Sequence, residues 1–94
     1  GNAIELVLYS GELGSKPLAQ ILNGANTAFL KSPNGKWEAF QFLEAEEIVQ
    51  NRWRLSRLLR GQLGTETESL IEKPVGTPFV LLDGGVQGIG LHAS

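Results

Sequence analysis

The chain is 94 residues long, with eight basic and ten acidic residues, a net charge of −2, 41% hydrophobic and 19% charged residues. That is the size and balance of one small globular domain, and the charge gives no reason to expect nucleic acid, which calls for a concentrated basic surface. No cysteine and a single histidine, His92, leave no disulfide framework and no usual zinc ligand set, and no apolar run approaches the ~20 residues of a membrane helix.

In chain order, Ile4, Leu6 and Leu8 alternate with Glu5 and Val7, which predicts a half-buried strand ended by the turn residues Ser10-Gly11. Leu18, Ile21 and Leu22 have helical spacing, with Ser15 as a cap, Pro17 in the first turn and Gly24 as a stop. The segment 16–23 reads as either a helical turn or an irregular loop. Thr27 to Lys31 is a short strand, and Pro33-Asn34-Gly35 is a specific turn signal, since Asn and Gly tolerate positive φ. Trp37 to Val49 follows as a long strand. Trp37, Phe40 and Leu43 would also share a helix face, but the preceding turn and the charge pattern that follows favour the strand.

That pattern is acid before Gln50-Asn51 and base after it. Folded there as a tight hairpin, the chain sets Glu47 opposite Arg54 and Glu44 opposite Arg57, with Ile48 against Trp53, Leu43 against Leu58 and Phe42 against Leu59. Opposite-charge and apolar cross-strand pairs each contribute roughly 0.2–1 kcal/mol, so this register is expected. It places Arg52, Arg54 and Arg60 on one face and Arg57 on the other with Trp53, Leu55 and Leu59. Phe40, Phe42, Trp53, Leu55 and Leu59 are the expected core. Gly61 to Gly64 end the strand, and Thr65 with Glu68 has capping-box spacing, so a helical turn over 66–72 is open. Phe79 to Leu82 reads as a buried strand, Asp83-Gly84-Gly85 as a turn, and Val86 to Leu91 as a short edge strand. The fold class is therefore mainly β: a small antiparallel meander or partly closed barrel with at most one or two short helical turns.

Candidate chemistry is sparse. Glu44, Glu46 and Glu47 are better read as an arginine-paired strand surface than as a cation site, because neighbouring strand residues point to opposite faces. Arg54 and Arg57 read as salt-bridge partners, whereas Arg60, at a glycine-containing strand end, reads as a buried guanidinium that ties down a loop. The glycines at 84, 85, 88 and 90 follow a strand, but no helix opens on them, so they read as turn or tail glycines. Trp37 and Trp53 suit the core better than a sugar-stacking platform. His92 reads as a frayed terminal residue. No nucleophile, base and orienter assemble, so no catalytic, cofactor or metal residue is assigned.

The string Trp37-Glu38 with Gln41-Phe42 and Ala45-Glu46, then Trp53-Arg54-Leu55-Ser56 and Leu58-Leu59-Arg60-Gly61-Gln62 with Gly64-Thr65-Glu66, carries a resemblance. It resembles the C-terminal region of large phage tail hub proteins, including the baseplate "megatron" protein of gene transfer agents, whose larger form also has a glycoside-hydrolase-like TIM barrel. Leu22-Asn23-Gly24-Ala25-Asn26 with Ala28, and Phe79-Val80-Leu81-Leu82-Asp83, fit the same pattern, so the likeness spans residues 4–83. Where family members often have a Gly/Pro turn, this chain has Gln50-Asn51.

The resemblance implies a mostly-β assembly module of a phage or prophage tail tip. Its partners would be other domains of a parent tail protein and neighbouring baseplate proteins. The parent would be a possible homotrimer, made in the bacterial cytoplasm and located in a virion tail or gene transfer agent particle. No catalytic residue carries over, because the barrel lies outside the chain. The candidate structural or interface residues are Trp37, Phe42, Glu44, Glu47, Trp53, Arg54, Arg57, Arg60, Gln62, Thr65 and Glu66. The alternative is a carbohydrate-binding domain, or an accessory domain supporting the hydrolase-like barrel. The chain contains no methionine, so we expect one domain cut from a larger protein, with Gly1 as a cloning scar.

Overall fold

The computed structural model describes residues 3–93, and side chains through residue 91; Gly1 lies outside the described residues. Six strands and two short helices run in the order β1 (Ala3–Leu8), α1 (Leu18–Leu22), β2 (Thr27–Lys31), β3 (Trp37–Val49), β4 (Arg52–Gln62), α2 (Glu66–Ser69), β5 (Pro78–Leu81) and β6 (Gln87–Ala93). All pairings are antiparallel, and the strands close into a barrel in the order β1-β4-β3-β2-β5-β6, with β6 returning to β1. The expected β2-β3-β4 meander is present. The barrel is fully closed, and the last strand is not an edge as expected: it pairs with both β1 and β5. Closure removes the unpaired strand edges that would otherwise invite association.

The alternation in β1 buries Ile4, Leu6 and Leu8, and β2 buries Ala28 and Leu30. These meet Phe40 and Phe42 of β3, Trp53 and Leu55 of β4, and Phe79 of β5 in one cluster. Phe40 stands at its centre, with ring centroids 6.4 Å from Phe42 and 6.2 Å from Phe79. Burial of side chains this size stabilises by about 1.5–3 kcal/mol each, so this cluster supplies the main driving force for closure.

Gln50-Asn51 forms the expected turn, with Val49 opposite Arg52, and Asn51 takes the positive φ of 65° that Asn tolerates. The expected register nevertheless fails one step later. A bulge between Glu47 and Val49 shifts the ladder by one residue, so Arg54 faces Glu46 rather than Glu47, and Glu44 faces Ser56 rather than Arg57. Trp53 faces Glu47 rather than Ile48, and Phe42 faces Leu58 rather than Leu59. The physical reason lies in the faces: a one-residue slip exchanges them, and the bulge leaves Ile48 outside while Trp53 stays 6% exposed. The charge match is kept only as Glu46 with Arg54.

Arg57 has a φ of 53°, an unusual state for a non-glycine residue. Alternation along β4 changes phase there. Trp53 and Leu55 point inward, Arg57 is exposed, and Leu58, not the expected Leu59, packs against the core.

Both helices are shorter than the spacing signals suggested, and neither is capped as expected. The Ser15 hydroxyl accepts from Ala45 N at 3.0 Å, binding its loop to β3, and the N-cap position of α1 falls to Pro17. Only Ile21 of the helix is buried. Thr65 makes no side-chain cap to α2, and Glu68 turns inward rather than completing a capping box.

The glycine run at 84–90 does contribute turn residues, but Gly88 has a stricter role in β6. A Cβ there would fall 2.2 Å from the Val7 carbonyl oxygen, on the seam where Leu8 pairs with Gly88. Gly88→Ala should therefore force the β1–β6 seam apart. We expect a loss on the order of 3 kcal/mol, the upper part of the range for overpacking, measured by urea unfolding. Gly14→Ala, which meets nothing within 4 Å and needs no positive φ, controls for contact at the seam.

Candidate functional site

Three stretches that carry the sequence resemblance meet on β3. The first meeting point is Glu38. It is in phase with Phe40 and Phe42 and lies opposite buried Leu30, so its carboxylate is fully buried. Arg60 grips it with two bonds, Nε to Oε2 at 2.6 Å and Nη2 to Oε1 at 2.7 Å. Lys73 Nζ donates to Oε1 at 2.7 Å, and Gly61 N donates to Oε2 at 3.2 Å. Lys73 is itself 4% exposed and also donates to the Glu68 carbonyl. Burial alone would push the Glu38 carboxyl up. The bonds from Arg60 and Lys73, the Arg60 charge and the Gly61 N–H outweigh it and hold the carboxyl below its ordinary value.

The chain around Arg60 is shaped to reach this carboxylate. The ladder shifts between Ala39 and Gln41, so Ala39 faces Gln62 while Gln41 faces Leu59. Gly61 is buried at a φ of 63°, and a Cβ on it would meet the Glu66 Cα at 2.9 Å. Only glycine combines that backbone state with that space. Thr65 Oγ1 then donates to the Gln62 carbonyl at 2.6 Å and accepts from Ala39 N at 3.0 Å, which ties the corner back to β3. Behind it, Asn34 Nδ2 donates to Glu68 Oε1 at 3.0 Å, joining the β2–β3 turn to α2.

The second meeting point is Gln41. Its amide donates to the carbonyls of Ile21 at 2.5 Å and Ala25 at 2.9 Å, anchoring the end of α1. Asn26 Nδ2 donates to the carbonyls of Gly14 at 2.8 Å and Phe42 at 3.0 Å. The Asn23-Gly24-Ala25-Asn26 stretch and the Trp37-Glu38-x-x-Gln41-Phe42 stretch are thus one bonded unit.

The other residues singled out from sequence fall into three groups, with Trp37 apart from them. Phe42 and Trp53 are core. Arg60, Gln62, Thr65 and Glu66 build the corner, as the strand-end reading of Arg60 anticipated. Glu44, Glu47, Arg54 and Arg57 lie on the surface without forming the expected ion pairs: Glu44 Oε1 accepts from Ser56 at 3.4 Å and Glu47 Oε2 accepts from Asn51 N at 2.9 Å. Trp37 is 39% exposed, so it is not core, and with Trp53 buried the two do not form the exposed pair that a sugar platform would use. Among the described residues no group of three acidic or imidazole side chains could hold a metal ion, and no helix is long and apolar enough to cross a membrane.

Glu38, Gln41 and Lys73 were missed as site residues. For Glu38 a signal existed: a glutamate in phase with two buried phenylalanines must find a cation. Nothing local marks Lys73.

A family model described as Rcc01698-like, C-terminal, matches residues 1–80. The chain belongs to the Rcc01698-like C-terminal family. Neither the curated proteins nor the solved structures gave a match. All the residues that build the Glu38 corner, Lys73 included, lie within the matched region, and the closing strand β6 lies beyond it.

Removing one partner of a buried ion pair leaves the other uncompensated, at about 3–5 kcal/mol. Glu38→Gln and Lys73→Met should each cost about 3 kcal/mol in urea unfolding. The double variant should cost clearly less than their sum; additive losses would mean the two groups do not interact. The pH dependence has a definite sign. With its folded carboxyl held below the free value of 4.5, Glu38 stabilises the fold fully above that pH, and the contribution fades as pH falls toward the folded value. Stability of the parent chain should therefore fall more steeply below pH 4.5 than that of Glu38→Gln.

Proposed function

We propose that this domain is a non-catalytic assembly module of a phage or prophage tail-tip hub, or of the related baseplate protein of a gene transfer agent. It acts by packing against other domains of its parent and against neighbouring tail proteins. The single observation that carries the reading is where the shared residues go. Of those that resemble tail hub proteins, Glu38, Gln41-Phe42, Arg60-Gly61-Gln62 and Thr65 are engaged in holding a closed barrel and its corner together, and Trp37 lies on the outer face. Side chains saturated by ion pairs and backbone bonds have no free valence for acid–base or nucleophilic work.

The gene's neighbourhood tests it. Sequencing the DNA that flanks the source gene should reveal a long open reading frame among other tail genes. A short gene set among carbohydrate-processing genes would overturn the tail assignment and bring the glycan-binding alternative forward.

A further inference from the structure

We infer that the outer face of β2, β3 and β5 around Trp37 docks an acidic segment of another protein by taking one of its apolar side chains. This rests on the assembly reading above and names the face it uses.

Phe29 and Lys31 alternate with buried Ala28 and Leu30, so both lie on the outer face of β2. Lys31 pairs with Trp37 across β2–β3, and Phe29 pairs with Val80 across β2–β5. Phe29, Trp37 and Val80 line a shallow concavity of about 340 Å³. Its floor is apolar. No hydroxyl, amide or carboxylate lines it to orient a sugar's hydroxyl groups or a small anion, whereas an aliphatic or aromatic side chain would fill it.

The rim supplies the charge. Exposed Lys31 holds its Nζ 5.9 Å from the Trp37 ring centroid. It makes no ion pair among the described residues. The carboxylate nearest in sequence, Glu38, is buried and already held by Arg60 and Lys73. Glu68, which reaches the adjoining turn through Asn34, is buried too. The concavity is thus apolar inside and positive at the edge, with Glu38 and Glu68 held beneath it. Its complement is an apolar side chain flanked by Asp or Glu. Trp37 is rigid and partly exposed, a residue type suited to anchoring an interface.

The test is a titration of the 94-residue chain, followed by 15N NMR, with three synthetic peptides. One alternates Glu with Leu and Phe, the second replaces each Glu by Lys, and the third is polyglutamate. We expect the first to shift the Trp37 indole and the Lys31 amide saturably, at least tenfold more tightly than either of the others. Trp37→Ala and Lys31→Glu should each weaken it at least tenfold, while Arg54→Ala leaves it unchanged. Equal binding of the lysine peptide or polyglutamate, or shifts mapping to Arg54 and Arg57, would overturn the proposal. So would concentration-dependent shifts of Trp37 without peptide, which would assign the face to a second copy. Failure here is separable from failure of the tail reading, because the gene's neighbourhood is read independently of any peptide.

Discussion

A carboxylate placed in the wall of an apolar barrel cannot remain there alone, and most of the structure beyond the core follows from that constraint. Taking Glu38 out of water costs several kcal/mol, recovered only if cations and N–H donors occupy its oxygens. Arg60 approaches with its planar fork, which suits bidentate capture better than a lysine would. Bringing Arg60 there requires β4 to shift register and the chain to turn at Gly61, where a side chain would collide with Glu66. Lys73 then fixes the segment between α2 and β5 to the wall. One ion cluster therefore couples two strands, a helix and a connecting segment.

The long strand β3 poses the complementary problem of an edge. β2 covers it only from Trp37 to Gln41. Beyond that, the Gly14–Lys16 loop takes over as a substitute strand: Lys16 N donates to the Leu43 carbonyl at 2.9 Å and the Ser15 hydroxyl takes Ala45 N. Past Ala45 the bulge at Glu47–Val49 breaks the regular ladder. Covering loops and bulges are the usual means of blunting an exposed edge. The same bulge that upsets the simple hairpin register thus helps to keep the strand from recruiting another chain.

Much of this was legible in the residues. Period-two alternation located β1, the Asn-Gly turn introduced β3, and Gln50-Asn51 marked the hairpin correctly. The register was not legible, because charge and apolar matching favour the ladder one residue away, and the choice fell to a bulge that leaves no compositional mark. Leu59 was preferred to Leu58 as core for a related reason: a left-handed arginine at 57 resets the alternation, and no propensity flags such a residue. Closure by β6 was hidden because its glycines look like a tail, although Gly88 is needed for close approach to Val7. Of the corner, the Arg60 half was readable from its glycine neighbour. The Glu38–Lys73 half depends on contacts across 35 positions, beyond the reach of local pattern.

The framework and the surface are also connected at one point. Trp37 directly precedes Glu38, so the most tightly held side chain in the barrel wall adjoins the exposed aromatic of the outer face. Arg60, Gly61 and Lys73 hold the Glu38 carboxylate, and β2 pairs with Trp37 through Lys31. Binding costs free energy chiefly by immobilising flexible groups, so an aromatic held in place beforehand loses less on docking. Buried ion pairs as a class contribute little to net stability compared with apolar replacements of equal volume. The value of the Glu38 cluster lies in geometry: it fixes the position from which Trp37 is presented, and a hydrophobic substitute would hold the core without fixing the corner.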